Sequence, residues 1–178
     1  MSQQCKTVLD NGTTVISRTM PDVRSVSLGL WFNVGSRDER PDQAGLTHFM
    51  EHMMFKGTPT KGPLDISMHF DRLGAELNAF TSKEYTCYYA RFVDDKLEDA
   101  LSVLAEMVIE SNFSQDAIDT EREVVIEEIA RSEDTPDDYV YELYSQSNLP
   151  NHPCGLPVFG NSRSGWQLST CRLRRFPC

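Results

Sequence analysis

The chain has 178 residues, which suffices for one domain or a tight pair of domains with a sizeable hydrophobic core. Hydrophobic residues make up 39% of it and charged residues 25%, a composition typical of soluble globular proteins, and no apolar run approaches the roughly 18 residues of a membrane-spanning helix. The net charge of -10 argues against nucleic acid or an anionic lipid surface as the main partner and suits a basic substrate better.

The amino-terminal residues show no sign of a targeting segment. The first residues, MSQQCKTVLDNG, hold neither an apolar signal core nor an arginine-rich presequence. We therefore expect a cytoplasmic protein, or a periplasmic or mitochondrial matrix protein whose targeting segment is missing. The five cysteines are odd in number and include no CxxC pair, so we expect reduced thiols rather than disulfides or a thiolate zinc site.

The first predicted elements are β-strands. Asn11-Gly12 predicts a hairpin over residues 6–18, in which both residues of a two-residue turn have positive φ angles. Over residues 26–34 apolar residues alternate with small or polar ones, which indicates a half-buried strand. Two more extended segments are predicted at 76–81 and 85–93, the second rich in aromatic and β-branched residues.

Helices make up most of the rest. The spacing of apolar residues predicts a helix over residues 44–55, and Pro63 and Gly74 mark the start and the end of a second. Three further helices are predicted from about residue 97 to 108, from Ser114 to about Arg131, and from Thr135 onward. Strands and helices in this order predict an α+β fold in which helices pack on a largely antiparallel sheet.

The last part of the chain differs in composition from the rest. Residues 161–178 contain four arginines, no acidic residue and two of the five cysteines. Neither a helical nor a strand period continues there. We expect one domain over residues 1–160, followed by an atypical and unstructured tail.

The segment His48-Phe-Met-Glu-His52 indicates metal chemistry. Histidines four positions apart on a helix project from the same side and can bind one Zn²⁺ at about 2.0 to 2.1 Å. Glu51 lies on that side as well, and a carboxylate beside a metal can take a proton from water that the metal activates. The spacing therefore predicts a catalytic zinc site with Glu51 as its base.

A catalytic zinc site needs a third protein ligand, and the fourth predicted helix offers one. Glu121 and Glu128 lie seven residues apart, which places them on one helix face, while Val124, Val125 and Ile129 are expected to supply most of the packing stripe. Alternatively, these glutamates only form a solvent-exposed face of the helix. Two histidines and a glutamate can also occur together on a surface helix by chance.

The segment Gly45-Leu-Thr-His-Phe-Met-Glu-His-Met-Met-Phe-Lys-Gly-Thr58 resembles the signature of the pitrilysin/insulinase family of zinc peptidases, whose inverted motif is HxxEH. The resemblance covers most of residues 7–160. It includes Leu77-Asn-Ala-Phe-Thr-Ser82, Tyr85-Thr-Cys-Tyr88 and Asn151-His-Pro-Cys-Gly155. The chain is most similar to the processing-peptidase-like branch, which includes the β subunit of the mitochondrial processing peptidase and bacterial relatives.

The resemblance implies roles for individual residues. Glu128 lies 76 residues after His52, where the family has its third ligand, and Glu121 matches an acidic residue that supports the site. Asn78 and Ala79 match an edge strand to which substrate adds as a further β-strand.

The resemblance also implies a zinc-dependent metalloendopeptidase, with one Zn²⁺ in each chain, that cuts extended peptides or presequence-like segments. Family members are about twice this length or longer. We therefore expect the amino-terminal domain of the pitrilysin-type fold, truncated here, which needs a carboxy-terminal half or a homologous partner subunit. Two alternatives stay open: a noncatalytic core or partner subunit of the same fold, and an inactive zinc-binding gene fragment.

Overall fold

The computed structural model of the protein describes residues 3–160. The tail predicted at residues 161–178 lies outside the described residues, and the domain boundary at residue 160 stays a prediction. Within the described part, the elements follow the predicted order of strands, histidine-bearing helix, strands and further helices.

The first two strands form an amino-terminal hairpin. β1 (Gln4–Val8) pairs antiparallel with β2 (Thr14–Arg18), separately from the main sheet. Gly12 has a φ of 86° and donates its N–H to the Leu9 carbonyl, whereas Asn11 is not in the positive-φ region. A β-turn followed by a left-handed glycine is typical of a three-residue hairpin loop. The predicted hairpin is therefore confirmed, and its predicted two-residue turn is wrong.

The main sheet has three antiparallel strands. They are β3 (Ser25–Phe32), β4 (Glu76–Thr81) and β5 (Thr86–Val93), in the spatial order β3-β5-β4. Exposed and half-buried residues alternate along β3 and β4, because one face of the sheet packs on helices. The central strand β5 is mostly buried. Among the described residues, β4 therefore forms one edge of the sheet.

Five α-helices are present in the described part of the chain. They are α1 (Leu46–Met53), α2 (Pro63–Arg72), α3 (Leu97–Ile109), α4 (Gln115–Glu133) and α5 (Pro136–Asn148). The Ser114 side chain accepts the N–H of Ala117 and caps α4, as predicted. α1 is shorter than predicted: it begins after the left-handed Gly45, and it ends at Met53. Two 3₁₀ turns, Ser36–Asp38 and Pro41–Gln43, precede it.

The hydrophobic core lies between the sheet and the helices. Phe49 and Met53 of α1, Phe70 of α2, Phe92 of β5 and Leu104 of α3 belong to it and are at most 3% exposed. α1 packs on both β4 and α4, and α3 packs on β5. Helices on an antiparallel sheet are the predicted α+β architecture.

Two further findings concern membrane-spanning helices and the cysteines. Over residues 3–160, no helix combines the length and the apolar character that crossing a membrane requires. In the described part of the chain, Cys5, Cys87 and Cys154 form no disulfide.

Candidate metal centre

The two faces of α1 have different surroundings. Phe49 and Met53 turn into the core and are fully buried. His48, which is 6% exposed, and the half-buried Glu51 and His52 lie beside a cleft instead. The helical spacing of the motif therefore separates packing residues from residues available for chemistry.

α4 packs against α1 and brings Glu128 to the two histidines. Oε2 of Glu128 lies 3.3 Å from Nε2 of His52 and 3.8 Å from Nε2 of His48. The two Nε2 atoms are 3.1 Å apart. The neighbouring Glu127 is exposed, so the register of α4 selects Glu128 for this cluster.

The cluster fits Zn²⁺ in donor type and spacing. Atoms that bind a tetrahedral zinc at about 2.1 Å lie about 3.4 Å from one another. The three separations between the two imidazole nitrogens and the carboxylate oxygen, 3.1, 3.3 and 3.8 Å, bracket that value. Two histidines and one carboxylate are also a ligand set of catalytic zinc sites, which keep a fourth position for water or substrate.

Glu121 is buried behind His52. Its Oε1 accepts a hydrogen bond from Nδ1 of His52 at 2.8 Å, and its Oε2 lies 2.5 Å from Nζ of Lys56. A proton on Nδ1 leaves the Nε2 lone pair free, so Glu121 holds His52 in the tautomer that can bind a metal. The predicted packing stripe of α4 is wrong at Val124, which is 40% exposed, whereas Glu121 is 3% exposed and lies on the buried face with Val125.

His48 is enclosed more tightly than His52. Burial, and to a lesser extent the neighbouring His52, lowers the pKa of His48 to about 3. The ring is therefore neutral at physiological pH, the form in which histidine binds metals. The Phe159 ring stands edge-on to it, with centroids 4.6 Å apart. Nδ1 of His48 is buried and has no hydrogen-bond partner among residues 3–160.

Glu51 lies beside the cluster and contacts the sheet. Its Oε2 accepts a hydrogen bond from the hydroxyl of Thr81, the last residue of β4. Burial raises the pKa of the Glu51 carboxyl above its ordinary value; Thr81 and His52 oppose this shift and Glu128 adds to it. A carboxylate whose pKa lies closer to neutrality accepts a proton more readily, which suits a general base.

A cleft of about 810 Å³ opens in front of these groups. Asn78 of β4 and Phe159 contribute to its walls. Five of its lining residues are acidic, and two, Lys56 and Arg131, are basic. The cleft therefore favours positively charged groups.

The structure brings together five of the residues singled out in the sequence, and these are His48, Glu51, His52, Glu121 and Glu128. Asn78 is exposed at the cleft, and its Oδ1 accepts the N–H of Ala79 at 2.8 Å. Ala79 is half-buried and packs against the core, so only its backbone is available to a ligand.

Sequence reasoning missed three neighbours of the site. Lys56 lies four residues after His52, and this helical spacing was a usable indication. The position of β4 in the sheet brings Thr81 to the site, and the fold of the last described residues brings Phe159 there. Thr81 belongs to the segment Leu77-Asn-Ala-Phe-Thr-Ser82 that carries the resemblance, but no local pattern indicates its contact with Glu51 or the contact of Phe159 with His48.

Comparison with known proteins identifies the family. Residues 14–162 match the insulinase family, peptidase family M16, and the chain belongs to this family. An uncharacterized zinc protease of Bacillus subtilis is 45% identical over 166 residues, which are 93% of this chain and 41% of that protein. An uncharacterized zinc protease of Streptomyces coelicolor is 43% identical over 171 residues, 96% of this chain and 37% of the relative. The chain thus spans about two fifths of the length of these curated relatives.

Solved structures agree with the fold. A protease from Helicobacter pylori superposes with a TM-score of 0.91 at 25% identity, over 99% of this chain and 43% of that one. An inactive domain of peptidase M16 from Pseudomonas fluorescens superposes with a TM-score of 0.87 at 20% identity, over 97% of this chain and 42% of that one, which shows the fold alone. The family and the α+β peptidase fold expected from the sequence are confirmed, and the processing-peptidase-like branch stays a prediction.

Proposed function

We propose that this chain is the zinc-bearing portion of a metalloendopeptidase that hydrolyses extended peptides. The observation that carries the proposal is the convergence of His48 Nε2, His52 Nε2 and Glu128 Oε2 beside the carboxylate of Glu51. The relatives named as zinc proteases support the same chemistry.

Each residue of the centre has a separate task in this proposal. His48, His52 and Glu128 would hold one Zn²⁺, whose positive charge would activate water and polarise the scissile carbonyl. Glu51 takes the proton from the attacking water and passes it to the leaving amine. The Thr81 hydroxyl donates a hydrogen bond to one carboxylate oxygen of Glu51 and does not engage the other oxygen.

Substrate binding at the edge of β4 is the second part of the proposal. An extended peptide would add to this edge through main-chain hydrogen bonds. Because the Asn78 side chain accepts the N–H of Ala79, it must turn away when a peptide pairs there. The acidic cleft favours peptides with basic residues, such as presequence-like segments, because Asp138 and Glu142 also line it.

The remaining length of the relatives bears on activity. The chain spans about two fifths of those proteins, so we expect a carboxy-terminal half or a homologous partner subunit to complete the substrate chamber. A catalytic group that orients the carbonyl is worth roughly 10²-fold or more in rate. We therefore expect the 178-residue chain to bind zinc but to show little or no peptidase activity, and we expect a cytoplasmic location.

The test is a comparison of zinc content and cleavage of a fluorogenic basic peptide in one sample. It uses the 178-residue chain and the same chain extended by the carboxy-terminal portion of the Bacillus subtilis relative. Glu51→Gln should keep the metal and lose hydrolysis, because an amide cannot accept the water proton. Glu123→Gln, on an exposed position of α4, is the matched control and should keep both.

The outcomes separate the alternatives. Zinc binding without cleavage in either form would support a noncatalytic subunit or an inactive fragment instead. Equal cleavage by the parent and by Glu51→Gln would remove Glu51 from the mechanism. Cleavage by the extended form alone would indicate that the further portion completes the site.

A further inference from the structure

The first turn of α1 has an unusual anchor. Gly45 is the N-cap residue, with a φ of 86°, and it has no side chain with which to cap the helix. His48 is the third residue of this eight-residue helix. A small movement of the first turn therefore moves His48 directly.

The carboxylate of Glu39 takes the place of the missing cap. Its Oε2 accepts the N–H of Gly45 at 2.7 Å, and its Oε1 accepts the N–H of Thr47 at 2.6 Å. Both amides belong to the start of the helix, where no intrahelical acceptor is available. Glu39 is only 7% exposed, so both bonds are shielded from water.

The 3₁₀ turn that precedes Glu39 is hydrogen-bonded to the turn between β4 and β5, and the Glu39 N–H bonds to the Ser36 carbonyl of that 3₁₀ turn. The N–H groups of Ser36 and Arg37 bond to the carbonyls of Ser82 and Lys83, at 3.2 and 2.9 Å. A Cβ on Gly35 would lie 2.5 Å from the Lys83 carbonyl carbon, so the glycine permits this close approach. The turn follows directly after Thr81, the residue that bonds Glu51.

The start of α1 is also packed by the end of the described chain. A Cβ on Gly160 would lie 2.6 Å from the Ala44 carbonyl oxygen and 3.1 Å from Cα of Gly45. The preceding Phe159 contacts the ring of His48. Packing therefore holds the first turn in addition to the two hydrogen bonds that Glu39 accepts. Those two bonds fix the orientation of the Gly45 and Thr47 amides.

We infer that Glu39 is a positioning residue of the metal centre, which fixes the first turn of α1, and with it His48, relative to the β4–β5 turn. This inference rests on the zinc site of the proposed function. Glu39 contacts none of the metal-binding atoms in the described structure and acts through the backbone of Gly45 and Thr47. Its removal should therefore alter the ligand geometry without removing a ligand.

The experiment compares Glu39→Gln and Glu39→Ala with the parent chain of 178 residues. Glu106→Gln is the matched control, because Glu106 also binds several groups, the side chains of Thr58, Thr60 and Lys61, but not the start of α1. Zinc affinity is measured by competition with a chelator, and unfolding by urea gives the stability of each variant. Hydrogen exchange of the metal-free proteins follows the amides of Gly45 and Thr47.

Glu39→Gln keeps the size of the side chain but has only one acceptor oxygen for two N–H groups. We expect roughly 10- to 100-fold weaker zinc binding, the range found for groups that orient metal ligands. The Gly45 and Thr47 amides should exchange faster, while amides of α3 keep their protection. Glu106→Gln should lose stability but keep zinc affinity within about twofold of the parent.

Three results would overturn the inference. In the first, Glu39→Gln binds zinc as tightly as the parent. In the second, Glu106→Gln loses as much zinc affinity as Glu39→Gln, which would make the effect one of general stability. In the third, the parent itself binds no zinc, which would refute the metal centre and this role together. If Glu39→Ala does not fold, Glu39→Gln alone decides between these results.

Discussion

Replacing Glu128 by glutamine removes one of the three groups that converge in the cluster. The amide keeps the size of the side chain but loses its negative charge, and a neutral amide is a poor ligand for zinc. The neighbouring Glu127→Gln makes the same chemical change at an exposed position about 100° further around α4. The pair therefore separates loss of a ligand from loss of charge.

The expected magnitude follows from the number of ligands. Structural zinc sites with four protein ligands bind the metal with about 10 to 16 kcal/mol, or about 2.5 to 4 kcal/mol for each ligand. Since about 1.4 kcal/mol corresponds to a factor of ten, losing one ligand weakens binding about 60- to 700-fold. Glu127→Gln changes only a screened surface charge and should stay within about threefold.

Competition with a chromogenic chelator measures both affinities on the 178-residue chain. Circular dichroism of the metal-free variants verifies that each is folded. Loss of zinc affinity in Glu127→Gln, with Glu128→Gln unaffected, would shift the register of α4 by one residue and refute the assignment. Equal affinities in both variants and the parent would remove α4 from the metal centre.

Other predictions concern the neighbours of the centre. Lys56→Met leaves the buried Glu121 without its cation and should lower the free energy of unfolding of the metal-free chain, measured in urea, by about 1 to 3 kcal/mol. This value lies between those of exposed and buried ion pairs, because the Lys56 side chain is 31% exposed. Thr81→Val should lower kcat/KM of the extended form about tenfold at unchanged zinc content, since it removes the donor to Glu51; an unchanged rate would contradict this. Burial raises the pKa of Glu142 in the folded protein above its ordinary 4.5. The folded protein therefore becomes less stable as the pH rises from 4.5 through that raised pKa and Glu142 ionises. Glu142→Gln should therefore match the parent in stability at acid pH and exceed it at neutral pH, in unfolding measured across the pH range.

The spacing of residues in the sequence was sufficient to predict much of the centre. His48, Glu51 and His52 lie on one side of α1 because a period of 3.6 residues places them there, and the same period turns Phe49 and Met53 into the core. The bounds of β4 and the capping of α4 by Ser114 could also be predicted, from the strand and helix-cap preferences of the residues themselves.

Tertiary packing determined what the sequence could not predict. Val124 is apolar yet exposed, and Glu121 is charged yet buried, because Glu121 lies on the face of α4 that packs on α1. Glu39 lies in an irregular segment and bonds to the start of α1, and the residues just before it bond to the β4–β5 turn, which comes more than 40 residues later. Contacts of this kind leave no periodic pattern in the sequence.

The claim that His48, His52 and Glu128 form one zinc site is tested most directly by X-ray diffraction at the zinc absorption edge. Crystals of the chain grown with Zn²⁺ would give an anomalous difference map that locates the metal independently of any assumed ligand. The account predicts one strong peak within about 2.0 to 2.2 Å of His48 Nε2, His52 Nε2 and a Glu128 oxygen. A peak at other residues, or none at this cluster in crystals that contain bound zinc elsewhere, would contradict it.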